Sequence, residues 1–577
     1  MPGLTGSISM ARTSLQMNQR AIELAGHNLA NVSNPAYARQ RLKLQTGNGV
    51  PSDDGLQGGG VEIQGVEQYR DLLLDRQVAN ERSVLAYLEQ KQKILQYTQS
   101  AIGQELDRAS SSAEGNAASQ GVSGQMGLGD NLTDFFNSLQ ALSTNPNSQA
   151  YRQVVIFKAQ NLSEKFNRVD FRLGELIHDL NGEFEPMVDE VNNAIVGLQK
   201  MGDQISNGEV LGNANDIRDR FHKRLEDLAE FVDVQFDFVP TKILDSNNKG
   251  IEKLELSIGG VKMIENGELI DKLKLSVIDE SGQVVERGQN VLQRGDTVFV
   301  ESINSNEEIN FKAGKIKAAI DARDETIKVF KSNIAGIAGE IKNRINEEYN
   351  DGTSLPVVEL SSKENADVDG ASGTLEIEEL SANLKKGDVL FFSNGGTFTV
   401  DKDFNVGANS ISGALGYVND EGVAVNSDNL QAGLTATIRG MEFFDSEASG
   451  LKLNERIESN AGLLSAGVGG DAGNNDMAIR LAQIVDERHE TLNGQTFNES
   501  VNQAIAGFGQ ELFNVETQVV DQKSVARMLE EQRISLGGVS IDEEMANLLV
   551  FQRAFQANAK LISILDDMLA EAINIVH

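Results

Sequence analysis

The chain has no cysteine in 577 residues, which rules out a disulfide framework and all thiol chemistry. A secreted protein built on long helices needs neither, so this absence leaves the compartment open. Positive charge is scarce too: 51 Lys and Arg stand against 86 Asp and Glu, a formal net charge of -35. Binding nucleic acid or an anionic membrane requires clustered Lys and Arg to neutralise phosphates, and no basic patch stands out. Neither is expected as a partner. No apolar run reaches the roughly 18 residues that cross a bilayer, so no membrane insertion is expected. The N-terminus lacks the basic, apolar and small-residue regions of a secretory signal, and any export is expected to leave the chain uncleaved. Apolar residues make up 40% of the sequence, ample for several domains with sizeable cores.

What is present is heptad periodicity at both ends. Ile541, Leu548, Phe555, Ile562, Leu569 and Val576 recur every seven positions, with Met545, Phe551, Ala559, Leu565 and Ile573 widening the stripe. That spacing predicts a helix with a coiled-coil seam, opened by a capping box between Ser540 and Glu543 just after Gly537-Gly538. At the other end Ile8, Leu15, Ile22 and Leu29 repeat in the same way. Leu4, Ala11, Ala25 and Val32 fill the alternate positions, and Asn18 is the polar interruption. The first and last segments are expected to pair. A two-helix pair leaves outer faces in water, notably at Phe551 and Leu565, which neighbouring subunits would cover.

Between the ends, helical and β text alternate in blocks. A Ser/Gly-rich stretch from Ser110 to Gly129 reads as a flexible loop, after which Asp130-Asn131 should cap a helix that Pro146 ends. The longest periodic segment runs from Val155 to Ile205; its seam stutters at Phe184, beside Gly182 and Pro186, where a kink is expected. Val232, Val234, Phe236 and Phe238 alternate strictly and begin a β block punctuated by Asn247-Asn248-Lys249-Gly250, Gly259-Gly260, Asn266-Gly267 and Ser281-Gly282 turns. Helical text returns with Ile320, Ile327, Ile334 and Ile341, a second β block covers about Val357 to Arg439, and helices are expected from there to the end. The predicted fold is α+β and multidomain: a long-helix coiled-coil framework made by the N- and C-terminal regions, with β-rich domains inserted in the middle. Residues 1–45 and 538–577 form a terminal coiled-coil domain; 46–235, 311–350 and 450–537 a long-helix bundle; 236–310 and 351–449 two β-rich insertions.

The stretch Asn28-Leu29-Ala30-Asn31 through Tyr37-Ala38-Arg39 resembles the N-terminal signature of flagellar rod, hook and hook-associated proteins, in which Asn28, Ala30, Asn31, Tyr37 and Arg39 are the matching residues. Ala36 stands where that family has Gly, so the turn there is either right-handed or reshaped by Pro35. The run Gly537-Gly538-Val539-Ser540-Ile541-Asp542-Glu543-Glu544, continuing through Phe551-Gln552 and Ala557-Asn558-Ala559, is similar to the family's C-terminal motif. Asp134-Phe135-Phe136, Asn215-Asp216-Ile217 and Asn474-Asn475-Asp476 resemble segments of its hook-associated branch, although Phe221 and His222 replace an Arg-Asp pair. The resemblance implies a structural subunit without enzymatic activity or cofactor, exported to the bacterial flagellum, at the junction of hook and filament. It implies the hook protein, the next junction protein toward the filament, further copies of itself in a ring, and a cytosolic export chaperone on the C-terminal helix as partners. The assembly interfaces would be the two seams: Leu4, Ile8, Ala11, Leu15, Ile22, Ala25, Leu29 and Val32, and Ile541, Met545, Leu548, Phe551, Phe555, Ile562, Leu565, Leu569 and Ile573. The competing readings are another axial protein of the hook, rod or flagellin type, or a secreted adhesin or enzyme carried on such a scaffold.

Candidate chemistry is sparse. His489-Glu490-Thr491-Leu492 opens like a zinc-protease helix, but Asn493 stands where the second imidazole is required. Asp401-Lys402-Asp403-Phe404-Asn405 has the first ligand spacings of a calcium loop, yet Val406 and Ser412 occupy the Gly and bidentate Glu positions, so a hairpin turn is expected. No catalytic, cofactor or metal residue is nominated.

Overall fold

A computed structural model describes the chain apart from residues 1, 48–49, 53–54, 58–59, 103–126, 212–213, 245–249, 280–282, 287–291, 293–294, 362–372, 379, 394–395, 417–432, 469–472 and 577. Most of the expected Ser110–Gly129 loop and the turns around Asn247 and Ser281 fall outside the described residues. The fold is α+β, with long helices at both termini and sheets in the middle. It divides into two compact units, one of residues Met1–Ile94, His178–Ala322 and Asn514–His577, the other of Leu95–Ile177 and Arg323–Phe513.

In the first unit, helix α1 (Pro2–Ala30) packs along α11 (Ile541–Val576). Strand β1 (Gln40–Thr46) follows α1 and pairs antiparallel with β4 (Val61–Gln68), with a bulge between Lys43 and Leu44, and the β2–β3 hairpin (Val50–Ser52, Gly55–Gln57) fills the turn. The N-terminal part of α2 (Leu72–Ile102), the C-terminal part of α4 (Gln149–Leu211) and α5 (Asn215–Ala229) supply buried apolar faces, with Phe184, Val191, Ile195 and Leu198 on α4 fully enclosed. A four-stranded antiparallel sheet, β5 to β8 (Val234–Leu244, Gly250–Ile258, Val261–Glu265, Glu268–Leu269), turns at Asn266-Gly267, where both residues have positive φ as a tight hairpin requires. The strict alternation before Pro240 has its explanation here: Phe236 and Phe238 reach the ring of Phe221, at 6.0 and 5.3 Å between centroids. A three-stranded sheet of order β10-β9-β11 (Val284–Glu286, Leu273–Ile278, Thr297–Ser302) and α6 (Gly314–Asp321) complete the unit with the C-terminal part of α10 (Phe497–Gly537).

In the second unit, α3 (Leu128–Thr144), the first half of α4, α7 (Lys328–Tyr349) and the start of α10 accompany a six-stranded antiparallel sheet. Its strand order is β12-β17-β14-β15-β16-β13 (Val358–Glu359, Thr435–Arg439, Val389–Phe392, Thr397–Val400, Ser410–Gly416, Gly373–Glu376). An aromatic core holds this unit: Phe443 lies 4.8 Å from Phe444, 5.3 Å from Tyr349 and 5.7 Å from Phe135. Arg152 is buried beside it and donates to the carbonyls of Pro146 and Leu464. Burial lowers its pKa to about 10.

One local expectation is corrected and three gain detail. Helix α3 begins at Leu128, not after Asp130-Asn131: Gly127 is the N-cap, Asp130 accepts from its N–H and Asn131 donates to its carbonyl. Helix α4 remains helical through Pro186, whose missing N–H costs one bond to the Gly182 carbonyl, because buried Leu180, Phe184, Val188 and Val191 anchor the helix on both sides. Between β17 and α10 the described residues form short helices, α8 (Glu455–Ser459), α9 (Asp476–Gln483) and single 3-10 turns. The heptad through Ile327 crosses a π-helical turn, Ala322–Ile327.

Candidate functional site

The paired termini contain the residues nominated from the sequence. On α1, Ala11, Ala21, Ala25 and Asn18 are buried, while Ile8, Leu15, Ile22 and Leu29 are half-buried, as is Val32 just past the helix end. Asn18 satisfies itself locally, donating to the Ser14 carbonyl at 2.8 Å. On α11 the half-buried seam is Leu548, Phe551, Phe555, Ile562, Leu565 and Leu569. The side chains of Leu4 and Ile573 lie outside those described. Ile541 and Met545 are exposed instead. Ile541 falls in the first turn of α11, where α1 has already ended, and Met545 lies one position off the seam.

The water-facing apolar residues of α11 are therefore different from those expected. Ile541, Met545 and Leu549 line one flank of the seam, and Val550, Leu561, Ile564 and Met568 the other, each at least 45% exposed. At 100° per residue, these flanks widen the apolar surface well beyond what one partner helix covers.

Where the helices meet their connecting loops, the apolar seam gives way to a buried polar cluster. Asn28, 2% exposed, uses its full side-chain capacity. Its amide donates to the Gln40 carbonyl (2.9 Å) and to Glu544 Oε2 (3.1 Å); its oxygen accepts from the Tyr37 hydroxyl (2.7 Å) and from the Gln40 N–H (3.1 Å). Arg39 forks onto the start of α11, with one nitrogen 2.8 Å from Glu543 and the other 2.7 Å from Glu544. Glu544 is only 3% exposed. The Arg39 backbone donates to the Gly537 carbonyl (2.8 Å) and accepts from Tyr69 N–H (2.8 Å). A Cβ on Gly537 would sit 2.5 Å from the Tyr69 carbonyl, so glycine is required here by close approach rather than by φ. Burial, then the carboxylates of Asp219, Asp216 and Glu544, push the Tyr37 phenol upward and keep it a neutral donor. Of the predicted signature, Asn28, Tyr37 and Arg39 converge in this cluster. Asn31 makes a bond within the helix, to the His27 carbonyl, and Ala30 is exposed. Ala36 does not adopt positive φ, so the turn accepts a Cβ.

The capping box forms by half. The Glu543 N–H reaches Ser540 Oγ at 3.5 Å, but the Glu543 side chain is engaged by Arg39.

A charged layer underlies the signature loop. Arg70 contacts Asp75 (3.0 Å), Asp219 (2.9 Å) and the Ala36 carbonyl (2.9 Å). Asp219 also accepts from Gln68 and from the Ala38 N–H, yet burial outweighs these and pushes it up to about 6. Asp75 is raised by the same cause. His222, buried between Phe221, Phe236 and Asp75, is held well below its ordinary range by burial and by the nearby Arg70, Arg218 and Arg533. Gln40, Arg70, Asp75, Asp219 and the two glutamates were not nominated from the sequence. One signal was available: with Ile541 at heptad position a, Glu544 falls at d, a polar residue in a seam position.

Elsewhere, His489 stacks on Phe497 at 4.2 Å with Nδ1 3.4 Å from Glu340, and Asp401–Asn405 lies in the turn between β15 and β16. Among the described residues no group of three or more His, Asp or Glu could hold a metal, and no helix is long and apolar enough to cross a membrane.

Two terminal helices held together by a polar junction, with apolar flanks left open, are the construction of a structural subunit. Known proteins resemble the chain along most of its length. Residues 121–357 match the family described as flagellar hook-associated protein FlgK helical domain, and residues 531–575 match the flagellar basal body rod FlgEFG protein C-terminal family. Flagellar hook-associated protein 1 of Bacillus subtilis is 25% identical over 98% of this chain and 97% of its own length; that of Escherichia coli is 22% identical over 99% and 100%. A solved flagellar hook junction protein FlgK from Burkholderia pseudomallei superposes with a TM-score of 0.46 at 12% identity, over 81% of this chain and 100% of that one. Over nearly its whole length the chain is similar to flagellar hook-associated protein 1, a structural component of the bacterial flagellum.

Proposed function

We propose that this subunit adds to the distal end of the hook, closes into a ring with copies of itself, and presents the surface on which the next junction protein builds toward the filament. The observation that carries this reading is the full-length similarity to proteins named flagellar hook-associated protein 1. The exposed flanks of α11 support it, because apolar area of that extent is stabilised by burial against further subunits. The terminal pair, 1–45 with 538–577, acts as the assembly module, and the seam and flank residues of α11 are its contact surface. Before export, a cytosolic chaperone covers the same helix, and the chain leaves uncleaved through the flagellar export apparatus. Electron microscopy of cells lacking the protein tests this: hooks without filaments are expected, and filaments of normal number and length would overturn it. Complementation with Ile564→Asp should leave the hooks bare, whereas filament growth would remove α11 from the contact surface.

A further inference from the structure

We propose that Asn28, Arg39 and Glu544 form a register latch that fixes α11 against α1 within the single subunit, before either helix meets a neighbour. The apolar seam alone cannot do this. Its residues repeat every seven positions on both helices, so a slip of one heptad returns apolar residues to apolar positions and leaves the buried area nearly unchanged. The polar cluster has no such periodicity. Asn28, near the end of α1, meets Glu544, near the start of α11, so the helices run antiparallel and their pairing can be counted from that contact. A seven-residue slip in one direction sets Phe551 against Asn28; in the other it sets Glu544 against Ala21. Either way the buried Glu544 carboxylate loses the Asn28 amide, one Asn28 N–H loses its acceptor and the Arg39 fork loses both glutamates together, while the Asn28 bonds to Tyr37 and Gln40 stay in place. Buried polar groups left unpaired are penalised far more than a shifted apolar contact, so one register is selected. Asn18 is satisfied by its own helix and contributes no such selection. The Arg39 backbone, held to Gly537 on one side and Tyr69 on the other, ties the latch to the body of the unit.

The absence of native cysteine makes a direct test clean. Seven residues back from Asn28 is Ala21, and seven on from Glu544 is Phe551, so Ala21→Cys with Phe551→Cys reports the native register. Ala21→Cys with Asn558→Cys reports a one-heptad slip. Each pair is introduced into the full-length chain, alone and together with Asn28→Leu and Glu544→Leu, and oxidised as the purified monomer. The native pair should cross-link in the parent chain while the slipped pair stays below a tenth of that yield. In the doubly leucine-substituted chain the slipped pair should rise at least tenfold with helical circular dichroism unchanged. A slipped-pair yield that stays at the parental level, with the native pair undiminished, overturns the proposal. If the leucine chain fails to fold, Glu544→Gln, which keeps the shape and the bond to Asn28 but loses the ion pair, takes its place: a several-fold rise supports the latch and no rise refutes it. The latch acts within one subunit, so it can fail while the junction reading stands, and bare hooks or normal filaments leave the cross-linking result unaffected.

Discussion

The aromatic core of the second unit and the seam of the terminal helices use similar residues to different effect. Phe135, Phe443 and Phe444 are completely enclosed, whereas Phe551 and Phe555 on α11 are only half-buried despite lying on a longer and more regular helix. Periodicity gives a helix a face; only the number of partners decides how much of it leaves water. The core is finished within the subunit. The terminal pair is finished only at one end, where the polar junction around Asn28 and Glu544 closes it.

Four measurements test this contrast. The largest effect is expected at Phe443→Ala, which removes a ring packed against Phe135, Phe444 and Tyr349. It should lower the stability of the second unit by about 3–5 kcal/mol in denaturant unfolding. A loss under about 1 kcal/mol would mean that this core is no better packed than the seam. Next comes Glu544→Ala, which leaves one N–H of the Asn28 amide and one arm of Arg39 without an acceptor. Breaking one member of a buried charged pair puts the expected cost at about 2–3 kcal/mol, read as earlier unfolding of the first unit. Unchanged stability would show that water solvates the junction.

Smaller still is Phe555→Ala. With the ring only partly enclosed, about 1–2 kcal/mol is expected, measured on the monomer by thermal unfolding, while filament attachment in cells is lost. A loss matching that of Phe443→Ala would show that the terminal pair is as complete as the core. The smallest effect is a slope. His222 is held neutral in the folded chain and takes a proton on unfolding below its ordinary pKa near 6.5, so its contribution is present above that pH and lost as pH falls. Asp219 opposes it: raised to about 6 by burial, it costs stability at neutral pH, and that cost is relieved as pH falls from about 6 toward 4. The melting temperature of His222→Asn relative to the parent should therefore rise between pH 7 and pH 5. A difference independent of pH would mean that His222 titrates normally.

The contrast also explains which expectations held. The long helices, the alternating strand at Phe236 and Phe238 and the hairpin at Asn266-Gly267 were legible because each is dictated within a few residues by periodicity or turn chemistry. The start of α3 was misplaced by a few residues, since Asp130 and Asn131 cap it from inside the first turn by bonding back to Gly127. The helix around Pro186 continues for 63 residues, because buried residues on both sides of the proline hold it after the loss of one backbone bond. The helices expected after β17 stay short as far as Thr496, since the sequence between Phe444 and Thr496 follows neither a seven-residue nor a two-residue repeat.

At the termini the division is sharpest. Heptad spacing by itself determined that the two ends are helices with apolar seams, because which residues share a helix face depends only on 3.6 residues per turn. Which glutamate is buried, which arginine reaches it and why Gly537 must be glycine were decided by the tertiary structure. Those depend on residues more than five hundred positions apart arriving at one point, where the distance between Asn28 and Glu544 rather than their place in any pattern makes them partners.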